Sequence, residues 1–329
     1  MIKINIIGGG RIANALLYYI DSLKINAQAK ISEDEKDIQN ADLLIGVLPS
    51  IFGEQALEYA LKYKKDLIDL ADLETDFYIE NENKINEAGI KVLPGAGFCP
   101  GLVNFILGHE FSQHKKIDTL EVKAGSISEK PNFYPFLWCF EDMVLEFLNP
   151  SIQLVNKKQK KFEAFAGFET ETLFGIETES YLCQSGFENL LDNAPVEINN
   201  FYYRNVRPVG FKPFFEFMHN YGFFKEENRE QTKAVVENAQ DDNISLSTIK
   251  IENDGKSKKW VMKSFSKVSE DLNSMQKITS LYAIAMIKLY LDGKIDAGLT
   301  FGEKLGAHAG IFDKIISFMN KNGVEVYSE

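Results

Sequence analysis

The chain is poor in the residues that build disulfide frameworks and metal centres. It has 3 cysteines and 4 histidines among 329 residues. Cys99, Cys139 and Cys183 form no Cys-x-x-Cys pair. An odd, sparse set argues against a disulfide scaffold and for a reducing, cytoplasmic setting. His109, His114, His219 and His308 are scattered, and none stands at ligand spacing from a cysteine, so no metal is expected. Basic residues are outnumbered, with 36 Lys and Arg against 48 Asp and Glu and a net charge of −12. That balance argues against nucleic acid as a partner. No apolar run reaches the length that spans a bilayer, and the first strand begins at residue 2 with no leader before it, so no membrane partner is expected. The 45% of hydrophobic residues is enough for the cores of about two domains.

The most informative stretch is the first. Ile2, Ile4, Ile6 and Ile7 read as a short strand, Gly8, Gly9 and Gly10 follow, and Ile12–Leu23 reads as a helix. Gly8-x-Gly10-x-x-Ala13 has the spacing of a dinucleotide-binding turn. Gly8 permits the tight turn, and Gly10 lets a pyrophosphate approach the backbone. Ala13 lets the helix pack close, and Arg11 and Ile12 open that helix toward the phosphates. A ligand-free glycine turn in an α/β domain would look the same.

Strand and helix then alternate. Ala41–Leu48 is a near-continuous apolar run, as in a buried parallel strand. Gln55–Tyr63 reads as a helix, Asp66–Leu70 as a strand, Asp76–Ala88 as a helix ending at Gly89, and Ile90–Leu93 as a strand. The turn Pro94–Gly101 leads into a helix over Leu102–Phe111. Such repeats predict a doubly wound, Rossmann-type parallel sheet whose ligands lie beyond the carboxyl ends of its strands. Leu48, Pro49 and Ser50, and Gly95, Ala96 and Gly97, fall on that edge. An acid about 20 residues after the glycines normally holds the adenosine ribose. Glu33 or Asp34 is at that distance, after a polar candidate strand, Ala27–Ser32. Glu33, Asp34, Glu35 and Asp37 equally read as a solvated face.

The periodicity changes between about Ile117 and Phe265. Leu120–Ala124, Ile152–Val155 and Thr170–Leu173 are strand-like, and Glu141–Leu148 and Pro213–Tyr221 are helical. Ile244–Ile251 alternates strictly, then Asn253-Asp254-Gly255 turns into Lys259–Phe265, a hairpin. Lys157–Lys161 reads as a solvated hairpin tip. Ser274–Leu291 is a long apolar helix, followed by a helix over Phe312–Asn320 and a candidate strand at Val324–Tyr327. The expected organisation is α/β: residues 1–116 and 272–329 form the dinucleotide domain, and 117–271 an inserted α+β second domain.

Several segments carry a family resemblance. They are the glycine turn, Leu48-Pro49-Ser50, and Pro94-Gly-Ala-Gly-Phe-Cys-Pro-Gly-Leu-Val-Asn104. Trp138-Cys-Phe-Glu-Asp-Met-Val-Leu-Glu-Phe-Leu-Asn-Pro150, Asn205-Val-Arg-Pro-Val-Gly-Phe211 and Gly298-Leu-Thr-Phe-Gly-Glu-Lys-Leu-Gly306 complete the set. In this order the chain resembles the saccharopine dehydrogenase-like oxidoreductases, most closely the L-lysine dehydrogenase branch. The resemblance implies NAD or NADP as cofactor, a homodimer, and reversible hydride transfer at the amine carbon of a small amino acid or amine by way of an imine. It also marks departures. Roughly one strand–helix unit after the first helix is missing. Phe211 stands where the family has histidine, and Cys99 where it has aspartate or a small residue.

Amine oxidation needs a base and a cation for the substrate carboxylate. Arg207 is the expected carboxylate anchor, or else a structural ion pair. Asp72 on the ligand-binding edge is a candidate base, or else a helix N-cap. Glu141 and Asp142 are expected to project toward the cleft as base or ammonium ligand, or else to stabilise a helix N-terminus. Cys99 is a candidate substrate contact, or else packs. The alternative for the whole chain is a non-catalytic relative, a dinucleotide sensor or dimeric scaffold that kept the fold.

Overall fold

The isoleucine run forms β1 (Ile2–Ile7), and Arg11–Ser22 forms α1. β2 (Ala27–Ile31), α2 (Glu35–Asn40), β3 (Leu43–Gly46), α3 (Ser50–Tyr63) and β4 (Asp66–Asp69) follow. Then come α4 (Thr75–Glu80), α5 (Glu82–Ala88), β5 (Lys91–Leu93) and α6 (Leu102–Gln113). The helix expected over Asp76–Ala88 is two helices that meet at Asn81, whose φ of −94° and ψ of 2° break the helical run. The computed structural model describes residues 1–183 and 187–329.

Next come β6 (Lys116–Ile127), α7 (Phe140–Leu148), β7 (Ser151–Val155), β8 (Lys158–Phe162), β9 (Glu169–Leu173), β10 (Ile176–Leu182) and α8 (Glu188–Asn193). β11 (Glu197–Pro208), α9 (Phe211–Asn220), α10 (Glu226–Asn238), β12 (Asn243–Asn253) and β13 (Lys256–Ser266) follow. The chain closes with α11 (Ser274–Leu291), β14 (Gly298–Leu299), α12 (Gly302–Gly306), α13 (Ala309–Lys321) and β15 (Val324–Ser328).

These elements make two units. The first comprises residues 1–115, 186–195 and 276–322. Its sheet is parallel, in the order β14-β5-β4-β3-β1-β2. The polar segment after α1 is an edge strand paired with β1 from Ala27 to Ile31, so the second strand is present. The helix after it is short: α2 has 6 residues and leads straight into β3, on the other side of β1. α11 is buried on most sides, as its uniform apolarity requires.

The second unit comprises residues 116–185, 196–275 and 323–329. Its sheet runs β15-β13-β12-β6-β11-β10-β9, with β7 and β8 as a side hairpin on β11. β6 and β11 are parallel, while their neighbours pair antiparallel. The sheet is therefore mixed. The Asp254-Gly255 turn joins β12 and β13 in register over eleven residues. The final strand, expected with the first domain, pairs instead with β13 of this sheet.

The return of the chain to the first unit depends on small residues. A Cβ on Gly108 of α6 would stand 2.0 Å from the Glu303 carbonyl oxygen. One on Gly306 of α12 would stand 1.8 Å from that of Phe105. Both clashes are with backbone. Gly108→Ala or Gly306→Ala must separate the helices, and each is expected to lower stability by about 3 kcal/mol. Gly89→Ala has open space and only a φ of +68° to offend, so about 1 kcal/mol is expected. Thermal or urea melts of the three variants check the order.

Candidate functional site

In the first sheet β1 is followed by β2 on one side, and the chain then crosses to β3 on the other. The carboxyl ends of β1 and β3 thus flank a topological switch point, where a parallel sheet opens a crevice. Gly8 and Val47 meet there. Gly8 has φ +110°, and a Cβ would stand 2.9 Å from the Val47 carbonyl oxygen, so this glycine is required by the fold itself.

Gly9 and Gly10 are different. Both are exposed, neither has positive φ, and an added Cβ would meet nothing within 4 Å at either. The fold gives no reason for them to lack side chains. Gly10 is the N-cap of α1 and supplies no side-chain cap to that 12-residue helix. Bare backbone at an uncapped N-terminus of this length suits a phosphate group. Ala13 is buried and lets α1 pack closely, while Arg11 and Ile12 are half-buried. The Arg11 carbonyl accepts from Gln276 Nε2 at 3.2 Å, which ties the first turn of α1 to α11.

The acidic run after β2 sorts itself by use. Asp34 caps α2, its Oδ1 accepting from the Lys36 amide at 2.8 Å. Glu35 accepts from Lys62 and Tyr63, and Asp37 from Ser32 while pairing with Lys30. Those partners lower the pKa of Glu35, through the Tyr63 hydroxyl and the Lys62 ammonium, and of Asp37, through Lys30 and Ser32. Glu33 is exposed, two residues past the end of β2, and these partners leave it uncommitted. Leu48 and Pro49 form the turn after β3, and Ser50 opens α3; all are half-buried.

Further along the same edge, Asp69 ends β4 and is wholly buried. Its Oδ1 accepts from the Ala71 amide and its Oδ2 from the Tyr78 hydroxyl, both at 3.0 Å. Its side chain lies over Gly46 of β3, where a Cβ would stand 2.4 Å from Oδ1. Burial pushes the Asp69 carboxyl up to about 6 despite these donors, and burial beside Asp69 raises the Tyr78 hydroxyl well above its ordinary value. Tyr78 lines an open cleft with Thr75, Gly95, Asn104 and Glu303. Asn104 Oδ1 accepts from the Gly101 amide at 3.0 Å, and its Nδ2 donates to Glu303 Oε1 at 2.8 Å. Burial raises the Glu303 pKa against that hydrogen bond.

The other expected residues divide between packing and pairing. Gly95 reaches the cleft, but Ala96 and Gly97 are buried. Ala96 N donates to the Asp69 carbonyl at 2.8 Å, and Gly101, with φ +138°, has no room for a Cβ, which would stand 2.0 Å from the Gly97 carbonyl oxygen. Asp72 is half-buried in the turn after β4 and is not an N-cap, since α4 begins after Glu74. Cys99 is half-buried in the turn before α6.

In the second unit, Glu141 and Asp142 sit in the first turn of α7. Burial works to raise the Glu141 pKa, but Lys233 Nζ at 2.8 Å and the Cys139 thiol hold it low. Burial raises the Cys139 thiol, and Asp142 adds to that. Arg207 is wholly buried. Its guanidinium carbon is 4.3 Å from the Trp138 ring, 5.1 Å from Phe211 and 5.3 Å from Phe147. Phe211, the departure from the family's histidine, thus stacks on the arginine. Burial brings the Arg207 pKa down to about 10 while the Glu146 charge supports it; burial pushes Glu146 up to about 7.

Of the residues expected from sequence, Gly8–Ala13 lie at the switch point, Glu33 in the exposed turn after β2 and Arg207 among buried rings, whereas Asp69, Tyr78, Asn104, Glu146 and Glu303 were given no role. Four of the five leave a signal. Asn104, Glu146 and Glu303 lie inside the segments that carry the family resemblance, and Asp69 is an acid closing an otherwise apolar strand.

The buried Asp69 makes stability depend on pH. Its pKa in the folded state is about 6, above the ordinary carboxyl value of 3.8. The folded state holds this proton more tightly, so the stability it contributes is complete below about pH 4 and is lost as pH rises to about 6. Asp69→Asn keeps an acceptor and never ionises. Relative to the parent, the variant is expected to gain up to about 3 kcal/mol between pH 4 and pH 7. Paired urea melts at the two pH values measure this.

No protein-family model matches the chain. Among solved structures, it is similar to apo saccharopine dehydrogenase (L-Glu forming) from Saccharomyces cerevisiae, with a TM-score of 0.77 and 15% identity over 100% of this chain and 99% of that one. More distant likenesses, at a TM-score of 0.44, are a C. glutamicum DAP dehydrogenase in complex with DAP, and scyllo-inositol dehydrogenase from Lactobacillus casei with bound NAD(H) and scyllo-inositol. They are 11% and 12% identical and cover 96% and 99% of this chain and 98% and 99% of theirs. A parallel sheet with a glycine turn at its switch point, a mixed second sheet, and end-to-end superposition at this score give the chain the fold of saccharopine dehydrogenase.

Proposed function

We propose that the protein is an NAD(P)-dependent oxidoreductase related to the saccharopine and lysine dehydrogenases. Its reaction is hydride transfer at the amine carbon of an amino acid or related amine, by way of an imine. The observation that carries the reading is the pair of exposed glycines, Gly9 and Gly10, whose missing side chains nothing in the fold requires. The family resemblance and the shared fold support it.

A bound nicotinamide dinucleotide would supply the hydride acceptor. The chain's own residues do the rest. The α1 N-terminus and the Gly9–Gly10 backbone hold the pyrophosphate, and Glu33 accepts hydrogen bonds from the adenosine ribose. Leu48, Pro49 and Ser50 border the crevice. The first unit offers Asp72, in the turn after β4, as the base for the ammonium proton, and the second unit offers Asp142. Arg207 binds the substrate carboxylate through two parallel N–H groups. The enclosure of Arg207 favours a second reading, a nucleotide-binding relative without turnover, because a shut guanidinium meets no substrate.

NADH and NADPH titrations of the full chain by calorimetry test the cofactor, and reduced-nicotinamide absorbance over an amino-acid panel tests turnover. Gly10→Val is expected to fold with a melting temperature lowered only by the lost N-cap preference, since its Cβ enters open space, yet to abolish binding. Glu33→Ala is expected to weaken binding about 10–100-fold through loss of charged hydrogen bonds. Unaltered affinity in Gly10→Val removes the phosphate from this turn. Binding without turnover on any substrate of the panel selects the second reading.

A further inference from the structure

β11 carries two arginines on opposite faces of the second sheet, and the fold treats them differently. Arg204 donates to Glu121 Oε2 at 2.9 Å, pairs with Glu169 at 2.6 Å and reaches the Gly167 carbonyl. Arg207 has no such set. Its Nη1 reaches the Pro135 carbonyl at 3.4 Å, and its Nε and Nη2 have no hydrogen-bond partner. The three rings around it attract the cation but satisfy no N–H in the plane of the guanidinium. A buried donor without an acceptor is costly, and a charged one more so.

The shortage has a counterpart of opposite sign. Asn205 lies on the same face of β11 and donates its Nδ2 to Glu146 Oε2 at 2.9 Å. The other two oxygens of that pair, Glu146 Oε1 and Asn205 Oδ1, are closed off from solvent and have no partner. Two spare donors on a guanidinium and two spare acceptors on a carboxylate and an amide thus lie in one cluster. A carboxylate takes the first pair and an ammonium the second.

Besides Phe147 of α7 and Phe211 of α9, Arg207 is met by the segment between β6 and α7, residues 128–139, which has no regular secondary structure. Pro135 supplies the carbonyl and Trp138 the nearest ring. Ring stacking holds the segment down, chiefly Tyr134 on Phe214 at 4.6 Å. A short bond, Ser128 Oγ to Asp241 Oδ2 at 2.7 Å, anchors the start of the segment, while the tie at Tyr134 is long: Tyr134 Oη to the Val209 carbonyl is also 3.4 Å. Bonds at that length are weak and are readily exchanged for better ones.

We propose that Arg207, Glu146 and Asn205 form the headgroup site for an α-amino acid, held shut by Pro135 and Trp138 until the ligand displaces them. The proposal rests on the amino-acid reading above and adds the ammonium half of the site and the strap over it. The ligand carboxylate replaces the Pro135 carbonyl on Arg207, and the ammonium donates to Glu146 Oε1 and Asn205 Oδ1.

The chain has 2 tryptophans, so Trp260→Phe leaves Trp138 as the single emitter. In that background L-lysine, L-glutamate and L-leucine are titrated, together with isocaproate, which is leucine's skeleton without the amine. At least one amino acid is expected to give a saturable change in Trp138 emission. Glu146→Gln weakens that amino acid at least tenfold and leaves isocaproate unchanged, and Asn205→Thr gives the same selective loss with the carboxylate in place. Phenylglyoxal labelling of Arg207, followed by peptide mass, is slow at rest, at least tenfold faster in Trp138→Ala, and suppressed by the bound amino acid. An emission blind to all three amino acids overturns the proposal. So does an equal effect of Glu146→Gln on acids with and without the amine, or labelling that Trp138→Ala does not change. NADH binding, measured on the same samples, tests the oxidoreductase reading separately.

Discussion

The first unit is drawn from stretches nearly two hundred residues apart in sequence, and one close contact holds them in place. α6 and α12 approach until backbone meets backbone, at Gly108 against Glu303 and at Gly306 against Phe105. Asn104 fastens the same junction, joining the Gly101 amide to the Glu303 carboxylate. β14 then adds to the sheet beside β5. The cleft that Tyr78, Asn104 and Glu303 line exists because this contact brings the two stretches together.

Two kinds of glycine meet at the switch point. Gly8 and Gly46 answer to their neighbours, one to the Val47 carbonyl and the other to the Asp69 carboxylate. Gly9 and Gly10 answer to nothing in the chain. Sequence spacing cannot separate the two kinds, because all look alike in a glycine pattern. The separation comes from asking what a methyl group would strike.

Much of the fold was legible because its elements announce themselves locally. The isoleucine strand, the apolar run at Ala41–Leu48 and the Asp254-Gly255 hairpin follow from periodicity and turn chemistry. The edge strand β2 was hard to read since one face is solvated and its sequence polar. β10 and β11 lack clean alternation because charged groups are buried on them: Glu179 takes two amide donors at the start of α9 and the Tyr181 hydroxyl, and Arg204 and Arg207 each meet partners from distant segments. The last strand was assigned to the wrong sheet because sequence order says nothing of which edge is open. Arg207 was visible as a candidate, but its enclosure was not. Trp138, Phe147 and Phe211 come from three separate elements, and only folding gathers them.

β15 pairs along the edge of β13 over five residues, from Trp260–Ser328 to Ser264–Val324. The chain reaches that edge only after it has gone back to complete the first unit with α11, β14, α12 and α13. During synthesis the edge of β13 stays open, with its backbone groups unpaired, until well over fifty later residues have emerged. An open strand edge is a template for another chain. The order of the elements therefore leaves β13 as an edge of the second sheet until the last residues of the first unit have been made.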